Sequence, residues 1–266
     1  MLQSTKNICL KAYWLLSSQL GIDPLRFFQS MRGVPKYLLD WFNFRKNHKG
    51  VMHMTPCLYD RYAEAGTTKS EYFWQDLIVA QRIFDKAPVK HVDVGSRIDG
   101  FVAHVASFRD IEVFDVRPMQ TQIPRVSFQK ADLMQPLPFE QGAYCDSLSC
   151  LHALEHFGLG RYGDPIDPLG YEKGLSNMAQ LLMPDGTFYL STPVGRARVE
   201  FNANHVFEPK QIVKLAESNN LTLIELLIVR GDEGIESASL SDTLFAELAR
   251  QTYSLCIFVF KKNSAK

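Results

Sequence analysis

The sequence has few of the features that mark metal-binding, disulfide-rich or membrane-spanning proteins. Its five cysteines are scattered and odd in number, and none has the spacing of a metal-ligand cluster. We therefore expect reduced, mostly buried thiols and no metal centre. No apolar run reaches the ~20 residues that a membrane-spanning helix needs. The apolar N-terminal stretch contains Lys11 and lacks a small-residue cleavage site, which argues against a signal peptide and predicts a cytoplasmic protein.

The chain as a whole also lacks an excess of either charge. The 29 basic and 29 acidic residues give a formal net charge of +0, so nothing in the overall charge predicts a nucleic acid partner.

The first 50 residues differ from the rest of the chain. They hold eight Lys/Arg and two acidic residues, a net of +6 that leaves −6 for the remainder. The same segment carries eight aromatic side chains: Tyr13, Trp14, Phe27, Phe28, Tyr37, Trp41, Phe42 and Phe44. One interpretation is peripheral contact with an anionic membrane surface or a membrane-bound partner. The other is that these helices bury their aromatics on the following domain or in a homodimer.

From Val89 onward, strand and helix patterns alternate. Apolar runs predict strands at 89–94, 111–116, 125–129, 144–150, 186–192, 221–229 and 253–260. Amphipathic patterns predict helices near 99–108, 170–183, 208–219 and 239–250. This alternation predicts an α/β fold, a Rossmann-like, doubly wound, mostly parallel sheet of seven strands whose last strand inserts antiparallel beside its neighbour.

Two further segments precede the first predicted strand. Residues 69–84 have the pattern of an amphipathic helix. Residues 1–54 are predicted to form a helical extension, and residues 55–266 the main domain.

A glycine turn follows the first predicted strand, in the stretch HVDVGSRIDGF at 91–101. Glycines at 95 and 100 allow a ligand to approach the backbone closely. The spacing is GxxxxG, and no Lys-Ser/Thr pair follows, so a dinucleotide turn and a phosphate-binding loop are both disfavoured. A nicotinamide-dependent reductase also lacks support, because Tyr171 is not followed by lysine four residues later. A plain strand-to-helix turn without a ligand is the alternative for this pair of glycines.

Aspartates end two later strand regions. Asp115 follows Gly95 by 20 residues and ends the second predicted strand, where a carboxylate can accept both hydroxyl protons of a ribose. Asp132, in KADLMQPLPF, can accept from an adenine amine while the Leu133 N–H donates to the ring. The alternatives are a solvated strand-end aspartate and a turn aspartate, respectively.

A group of titratable residues follows the fourth predicted strand. His152, Glu155 and His156 share a face if they lie on one helix turn. His205, in NANHVF, is expected to face them from the other side. A histidine suits general base catalysis near pH 7, and we rank His156 first and His205 second, with Glu155 fixing His156.

The loop of residues 157–170 has four glycines and two Asp-Pro pairs. Long irregular loops in compact domains are often lids or substrate binders. Arg161 can pair with an acidic or phosphorylated acceptor, and Tyr162, Asp164 and His152 are further candidates for acceptor contact. A metal site that combines Asp164 and Asp167 with the histidines is disfavoured, because aspartates in Asp-Pro pairs are more often turn formers. The loop can also simply pack over the next helix.

This ordered set of segments resembles class I methyltransferases that use S-adenosylmethionine. The run LMPDG at 182–186 resembles the Leu-x-Pro-Gly-Gly that precedes the fifth strand in that family. LPF, a gap and CDSLSCLHALEH look like its Leu-Pro-Phe and Leu-Glu-His stretch. The resemblance covers about residues 89–261 and departs where Arg97 replaces the usual middle glycine of the turn.

A narrower resemblance is to an uncharacterised family known as domain of unknown function 268. It is carried by YFWQDLIVAQRI, DVGSRIDGFVAH, FDVRP, CLHALEHFGLGRYGDPIDPLG and EFNANHVFEP. That family is methyltransferase-like, with members among bacterial surface-polysaccharide genes. The resemblance implies methyl transfer to a sugar hydroxyl of a small-molecule or lipid-linked glycan acceptor. The alternative is a methyltransferase-fold protein without activity that acts as a binding or scaffold subunit in glycan assembly.

The resemblance also implies which residues bind S-adenosylmethionine and, after transfer, S-adenosylhomocysteine. They lie in the glycine turn and at the ends of the second, third and fourth strands: Asp93, Gly95, Ser96, Arg97, Gly100, Asp115, Val116, Asp132, Leu133 and Leu151. Asp76, on the helix that precedes the first strand, is expected to accept from the ammonium of the methionine part; the alternative is that it caps or solvates that helix.

Overall fold

A computed structural model describes residues 9–10, 12–136, 144–231 and 234–264 of the chain. Leu137–Phe139 of the LPF motif, together with Lys6 and Lys11, lie outside the described residues. The chain forms two compact units, residues 1–67 and residues 68–266. The boundary after residue 54 stays a prediction. No helix within the described ranges is long and apolar enough to cross a membrane.

The first unit consists of short helices with local end signals. A π-helical turn spans Leu15–Gln19, α1 spans Pro24–Met31, α2 spans Val34–Asn47, and a 3₁₀ turn spans Asp60–Tyr62. Asp23 caps α1 by accepting from the Arg26 backbone N–H at 3.0 Å. A Cβ at Gly33 would overlap the Leu58 carbonyl oxygen, so only glycine fits between α1 and α2.

The second unit is built on one sheet. Its strands, together with a separate hairpin (β6 and β7), are β1 His91–Val94, β2 Ile111–Asp115, β3 Val126–Lys130, β4 Cys145–Leu151, β5 Leu182–Val194, β6 Arg198–Glu200, β7 Asn204–Val206, β8 Leu221–Val229, β9 Ile235–Ala238 and β10 Ser254–Lys262. The order in the sheet is β3-β2-β1-β4-β5-β10-β8-β9. Strands β1 to β5 are parallel, and β10 lies antiparallel between β5 and β8.

The predicted α/β fold is confirmed, including the antiparallel last strand. Strand β9 adds an eighth member at the edge, and β6 and β7 form a separate two-stranded sheet. These three strands have only three or four residues, too few for an alternation of apolar and polar positions to mark them in the sequence.

Helices cover both faces of the sheet, as predicted. They are α3 Glu71–Lys86, a π-helical turn Ile98–Val102 that runs into α4 Ala103–Ala106, α5 Gly170–Leu181, α6 Pro209–Ser218 and α7 Asp242–Arg250. One core packs α5, α6 and α7 on the sheet, and a second packs α3 and α4. Helix α7 begins three residues later than predicted, because the Ser241 side chain accepts from the Leu244 N–H and caps it there.

The run LMPDG belongs to β5 and not to a helix end and turn. Leu182 pairs with Cys145 of β4, and the register then shifts before Thr187 pairs with Ser147. Asp185 has a φ of 63°, which gives the strand its irregularity at this point. Strand β5 therefore begins four residues earlier than the apolar pattern indicates.

Candidate functional site

Buried hydrogen bonds hold the turn after β1. Asp93 is fully buried and accepts from the backbone N–H of Ser96 at 3.0 Å and from the hydroxyls of Ser96 at 2.6 Å and Ser149 at 2.5 Å. Burial raises the pKa of Asp93 to about 7, although these hydrogen bonds lower it. The Ser96 hydroxyl also accepts from the Leu151 N–H at 3.1 Å. Asp93, Ser96 and Leu151, three of the predicted cofactor residues, thus shape the turn from its buried side.

Gly95 is the residue of this turn that borders a cleft. Its φ is 71°, in the left-handed region, and its N–H donates to the Phe114 carbonyl at 2.9 Å. A Cβ at this position would come within 3.0 Å of the Ala153 side chain. Glycine therefore lets the turn approach β2 and the segment after β4 at once.

A cleft opens beside this turn, at the carboxyl ends of β1 to β4. Nine predicted site residues line it: Gly95, Asp115, Val116, Asp132, Leu133, His152, His156, Tyr162 and Asp164. The other lining residues are mostly apolar: Val94, Phe114, Arg117, Ala131, Met134, Ala153 and Phe157. Its water-accessible volume is about 50 Å³, whereas small-molecule sites usually offer ~300–1,000 Å³. The cleft is thus in the expected place but nearly closed.

Arg117 closes the cleft over the carboxylate that was predicted to hold a ribose. Its Nε donates to Asp115 Oδ1 at 3.0 Å and its Nη2 to Oδ2 at 2.6 Å, while its backbone N–H donates to Oδ1 at 2.8 Å. The Tyr162 ring covers the guanidinium, with 4.4 Å between the ring centroid and Cζ. Ribose hydroxyls and Arg117 would therefore compete for the same carboxylate oxygens. Sequence reasoning missed this residue, although FDVRP contains it.

Asp132 and Leu133 form the wall across the cleft. Asp132 Oδ1 accepts from the Met134 N–H at 2.9 Å, so this aspartate also shapes a turn. Leu133 is buried, and its carbonyl accepts from the Asn177 side chain at 2.8 Å. The turn is therefore anchored on α5.

The residues after β4 form a buried charge pair. Glu155 is fully buried, and His152 Nδ1 donates to its Oε1 at 2.5 Å, while His152 Nε2 lies 3.6 Å from Glu71 Oε2. Burial alone would lower the pKa of His152, but the negative charges of Glu155 and Glu71 and the hydrogen bond to Glu155 raise it to about 9. The Tyr72 ring stacks on it at 4.8 Å. His152 is therefore an imidazolium at neutral pH and has no lone pair with which to act as a base.

The pKa of His156 is shifted in the opposite direction to that of His152. Its Nδ1 donates to the Ala203 carbonyl at 2.7 Å, and its Nε2 lies 3.9 Å from Glu155 Oε1. Burial lowers the pKa of His156, and the charge of Arg161 lowers it further, against the opposing effect of Glu155. His156 is thus neutral near pH 7, with its proton on Nδ1 and a lone pair on Nε2.

His205 is held away from the cleft. It lies on β7, stacked on Phe207 with centroids 5.4 Å apart and 5.2 Å from the Tyr171 centroid. Burial lowers the pKa of His205, and its Nε2 is buried without a hydrogen-bond partner among the residues that the structure describes. Of the two predicted bases, the structure brings only His156 to the cleft wall.

The loop after His156 is organised by its own aspartate. Asp164 Oδ2 accepts from the N–H groups of Gly158 at 3.0 Å and Gly160 at 3.1 Å, and its Oδ1 accepts from the Tyr162 N–H at 3.1 Å. The Arg161 guanidinium donates to the Ala203 carbonyl at 2.9 Å, which ties the loop to the β6–β7 hairpin. Within the part of the chain that the structure describes, no group of three or more His, Cys, Asp or Glu could hold a metal.

Three predicted cofactor residues lie on α3 and in the turn but do not line the cleft. Asp76 is buried and accepts from Gln75 Nε2 at 3.1 Å, and burial raises its pKa to about 6. A Cβ at Gly100 would overlap Asp76 Oδ2, so the helix and the turn pack closely there. Arg97 Nη2 pairs with Asp99 Oδ2 at 2.8 Å, and Arg97 Cζ lies 5.1 Å from the centroid of the Tyr72 ring.

Comparison with known families supports the narrower resemblance over part of the chain. A family described as "Caenorhabditis protein of unknown function, DUF268" matches residues 127–223, about a third of the sequence. This range includes CLHALEHFGLGRYGDPIDPLG and EFNANHVFEP but not the glycine turn. No curated protein matches the sequence.

Solved structures resemble the second unit in fold. The [4+2]-cyclase SpnF has a TM-score of 0.52 at 15% identity, over 72% of this chain and 80% of its own. The 1,6-didemethyltoxoflavin-N1-methyltransferase of Burkholderia thailandensis, crystallised with S-adenosylhomocysteine, has a TM-score of 0.49 at 15% identity, over the same shares. The N-methyltransferase NodS of Bradyrhizobium japonicum WM9 has a TM-score of 0.47 at 14% identity, over 73% and 89%. Identities this low show similarity of fold alone, and the predicted Rossmann-like α/β fold is confirmed.

Proposed function

We propose that this protein is an S-adenosylmethionine-dependent methyltransferase that acts on a sugar hydroxyl. The observation that carries the proposal is the cleft at the carboxyl ends of β1 to β4. It brings the strand-end carboxylate Asp115 and the turn glycine Gly95 together with the neutral histidine His156. In open α/β sheets, this edge is where ligands bind.

The cleft has the chemistry that a nucleoside requires. Phe114, Val116 and Leu133 supply apolar walls for a purine, and Asp115 supplies a carboxylate for ribose hydroxyls. The bound cofactor would supply an electrophilic methyl group on a sulfonium. The protein's own task is to hold an acceptor in line with that methyl group and to remove the acceptor's proton.

His156 is the residue that we assign to proton removal. A sugar hydroxyl loses its proton far above neutral pH, so it needs a base as it attacks. The Ala203 carbonyl keeps the proton of His156 on Nδ1 and leaves Nε2 free to accept. Glu155, 3.9 Å away, stabilises the imidazolium that forms. His152 keeps Glu155 ionised and holds it in place.

The sugar acceptor rests on the resemblance to domain of unknown function 268. Members of that family occur among bacterial surface-polysaccharide genes, and residues 127–223 match its model. We propose a precursor of a surface glycan, as a small molecule or linked to a lipid, as the substrate class.

His156→Gln tests the assignment, with His53→Gln as the matched control because His53 is exposed and lies in the first unit. We expect His156→Gln to slow methyl transfer to a sugar acceptor by about 10²- to 10⁴-fold and to leave the affinity for S-adenosylhomocysteine in calorimetry unchanged. The control should behave as wild type. Equal rates for both variants would remove His156 from the reaction, and cofactor binding without transfer to any sugar would remove the acceptor class.

The second candidate function is a binding or scaffold protein without methyl transfer. The closed cleft favours it, because Arg117 already occupies both oxygens of Asp115. Calorimetry with S-adenosylhomocysteine on wild type and Arg117→Ala tests whether the cleft binds a nucleoside at all. Binding by either protein supports a nucleoside site, and no binding by both supports the scaffold.

A further inference from the structure

The first unit exposes aromatic side chains that a folded protein normally covers. Phe27 is 61% exposed, Phe28 68%, Phe42 58% and Phe44 63%. Gly33 is the one buried residue in the described part of this unit. The described helices of this unit therefore share no buried apolar side chain, and exposed patches of this kind mark interaction surfaces.

The exposed side chains are arranged on helix faces. On α1, Phe27 and Phe28 lie four and three residues before Met31, so the three share one face. On α2, Leu38 and Phe42 are four residues apart and share another. The Phe27 and Phe28 rings pack edge to face at 5.6 Å, which makes a compact apolar patch on α1.

The charge of the unit indicates what covers these faces. Its lysines and arginines between residues 26 and 49 are all exposed: Arg26, Arg32, Lys36, Arg45, Lys46 and Lys49. The two acidic side chains within residues 1–50 both have hydrogen-bond or ion-pair partners inside the unit. Asp23 accepts from the Tyr13 hydroxyl at 2.9 Å and caps α1, and Asp40 pairs with both Lys36 and Arg61 at 2.7 Å. Residues 1–50 have a net charge of +6, and the whole unit, residues 1–67, has nine basic and four acidic residues and a net charge of +5.

An anionic lipid surface complements this combination better than a second copy of the chain does. Basic residues beside a helix face of Phe, Trp and Leu are typical of helices that lie in the membrane interface. Each cation gains energy near anionic headgroups. Pairing the same faces of two copies would instead bring two positive segments together.

We propose that residues 1–67 dock this protein on the surface of an anionic lipid bilayer. Phe27, Phe28 and Met31 of α1 enter the headgroup region, and the exposed cations contact lipid phosphates and carboxylates. The docking does not depend on the proposed methyl transfer, and a protein without that activity would still bind.

Vesicle co-sedimentation of the full-length chain tests the docking. The vesicles are phosphatidylcholine alone or phosphatidylcholine with about one third phosphatidylserine, at low and high salt. We expect binding to the anionic vesicles at ~0.05 M salt and release at ~0.5 M, where charges are screened within a few ångströms. Phosphatidylcholine alone should bind weakly at both salt concentrations.

Two matched pairs of variants assign the binding to the first unit. Phe28→Ser should lower the partition coefficient about tenfold, whereas Phe84→Ser, at an equally exposed phenylalanine of α3, should not change it. Lys46→Glu should lower it about fivefold or more, whereas Lys214→Glu, at an exposed lysine of α6, should have little effect. Thermal unfolding of each variant checks that it is folded.

Three results would overturn the proposal. Equal losses in a variant and its control would show that residues 1–67 do not direct the binding. A dimer in analytical ultracentrifugation that Phe28→Ser dissociates, without vesicle binding by wild type, would show that a second copy covers the face. A wild-type monomer that binds no vesicles would show that the face is covered within the chain.

Discussion

Two histidines four residues apart are expected to titrate on opposite sides of neutrality. His152 lies between two carboxylates, with Glu155 at 2.5 Å and Glu71 at 3.6 Å, and its pKa is raised to about 9. His156 is buried beside Arg161, and its pKa is lowered from 6.5. The perturbation that tests this arrangement is Glu155→Gln, which keeps the shape of the side chain and removes its charge.

The size of the effect follows from the pKa of His152. A rise from 6.5 to about 9 corresponds to about 3 kcal/mol of folding free energy at 1.36 kcal/mol per unit. Because the folded-state pKa is the higher one, this contribution is fully present below pH 6.5 and is lost as pH rises through 9. Because Glu71 supplies part of the shift, Glu155→Gln should lower the free energy of unfolding by at most about 3 kcal/mol at pH 6, and by much less at pH 10.

Urea unfolding at pH 6, 8 and 10 measures this difference, and NMR titration of labelled imidazoles measures the pKa of His152 directly. Glu217→Gln, at an exposed glutamate of α6, is the matched control and should change neither quantity. In Glu155→Gln, the pKa of His152 should fall by about two units. A wild-type His152 that titrates near 6.5, or a stability difference that is constant from pH 6 to 10, would refute the reasoning.

The same pair predicts the pH dependence of methyl transfer. The rate should rise with pH as His156 loses its proton below pH 6.5, because only the neutral form can accept the acceptor's proton. It should fall as His152 loses its proton near pH 9, because Glu155 then loses its partner. A rate that keeps rising above pH 9 would contradict this assignment.

Three further substitutions test the cleft. Asp115→Ala should weaken S-adenosylhomocysteine binding in calorimetry by about 2 kcal/mol, because it removes two charge-assisted hydrogen bonds; an unchanged affinity in a folded variant would remove its ribose role. Arg117→Ala should tighten the same binding several-fold, because it frees both oxygens of Asp115, and weaker binding would show that Arg117 contacts the ligand itself. Gly100→Ala should lower the free energy of unfolding by about 1–3 kcal/mol, because its Cβ would overlap Asp76 Oδ2, and Asp76→Ala in the same chain should restore part of the loss in urea unfolding.

The main strands of the sheet could be predicted because a strand that is buried on both faces needs a long run of apolar residues. Strand β10, Ser254–Lys262, is buried over seven of its nine residues and was found within two residues of its ends. Strand β9, Ile235–Ala238, has no buried residue, so its short segment carries no apolar pattern. Its place at the sheet edge depends on backbone pairing with β8, which a sequence pattern does not record.

The sequence predicted several residues that line the candidate site, but it did not predict which of its histidines is charged. Asp115 and the residues after β4 follow the carboxyl ends of parallel strands, and they therefore lie at one edge of the sheet, as predicted. The difference between His152 and His156 comes from Glu71 on α3 and Ala203 on the β6–β7 hairpin. Both lie more than 40 residues away in sequence, so the local spacing of the histidines could not reveal which one stays charged.

The closed cleft links Asp115 to the loop that follows His156. A ligand that hydrogen-bonds to the Asp115 carboxylate competes with Arg117, which already donates three hydrogen bonds to it and lies against the Tyr162 ring. Tyr162 adjoins Arg161, which holds the loop to the hairpin through the Ala203 carbonyl. That carbonyl also accepts from His156 Nδ1, and the Tyr162 ring packs edge to face on the His156 ring with centroids 5.5 Å apart. Occupation of Asp115 is therefore coupled to the position of the loop and, through the loop, to the surroundings of the proposed base.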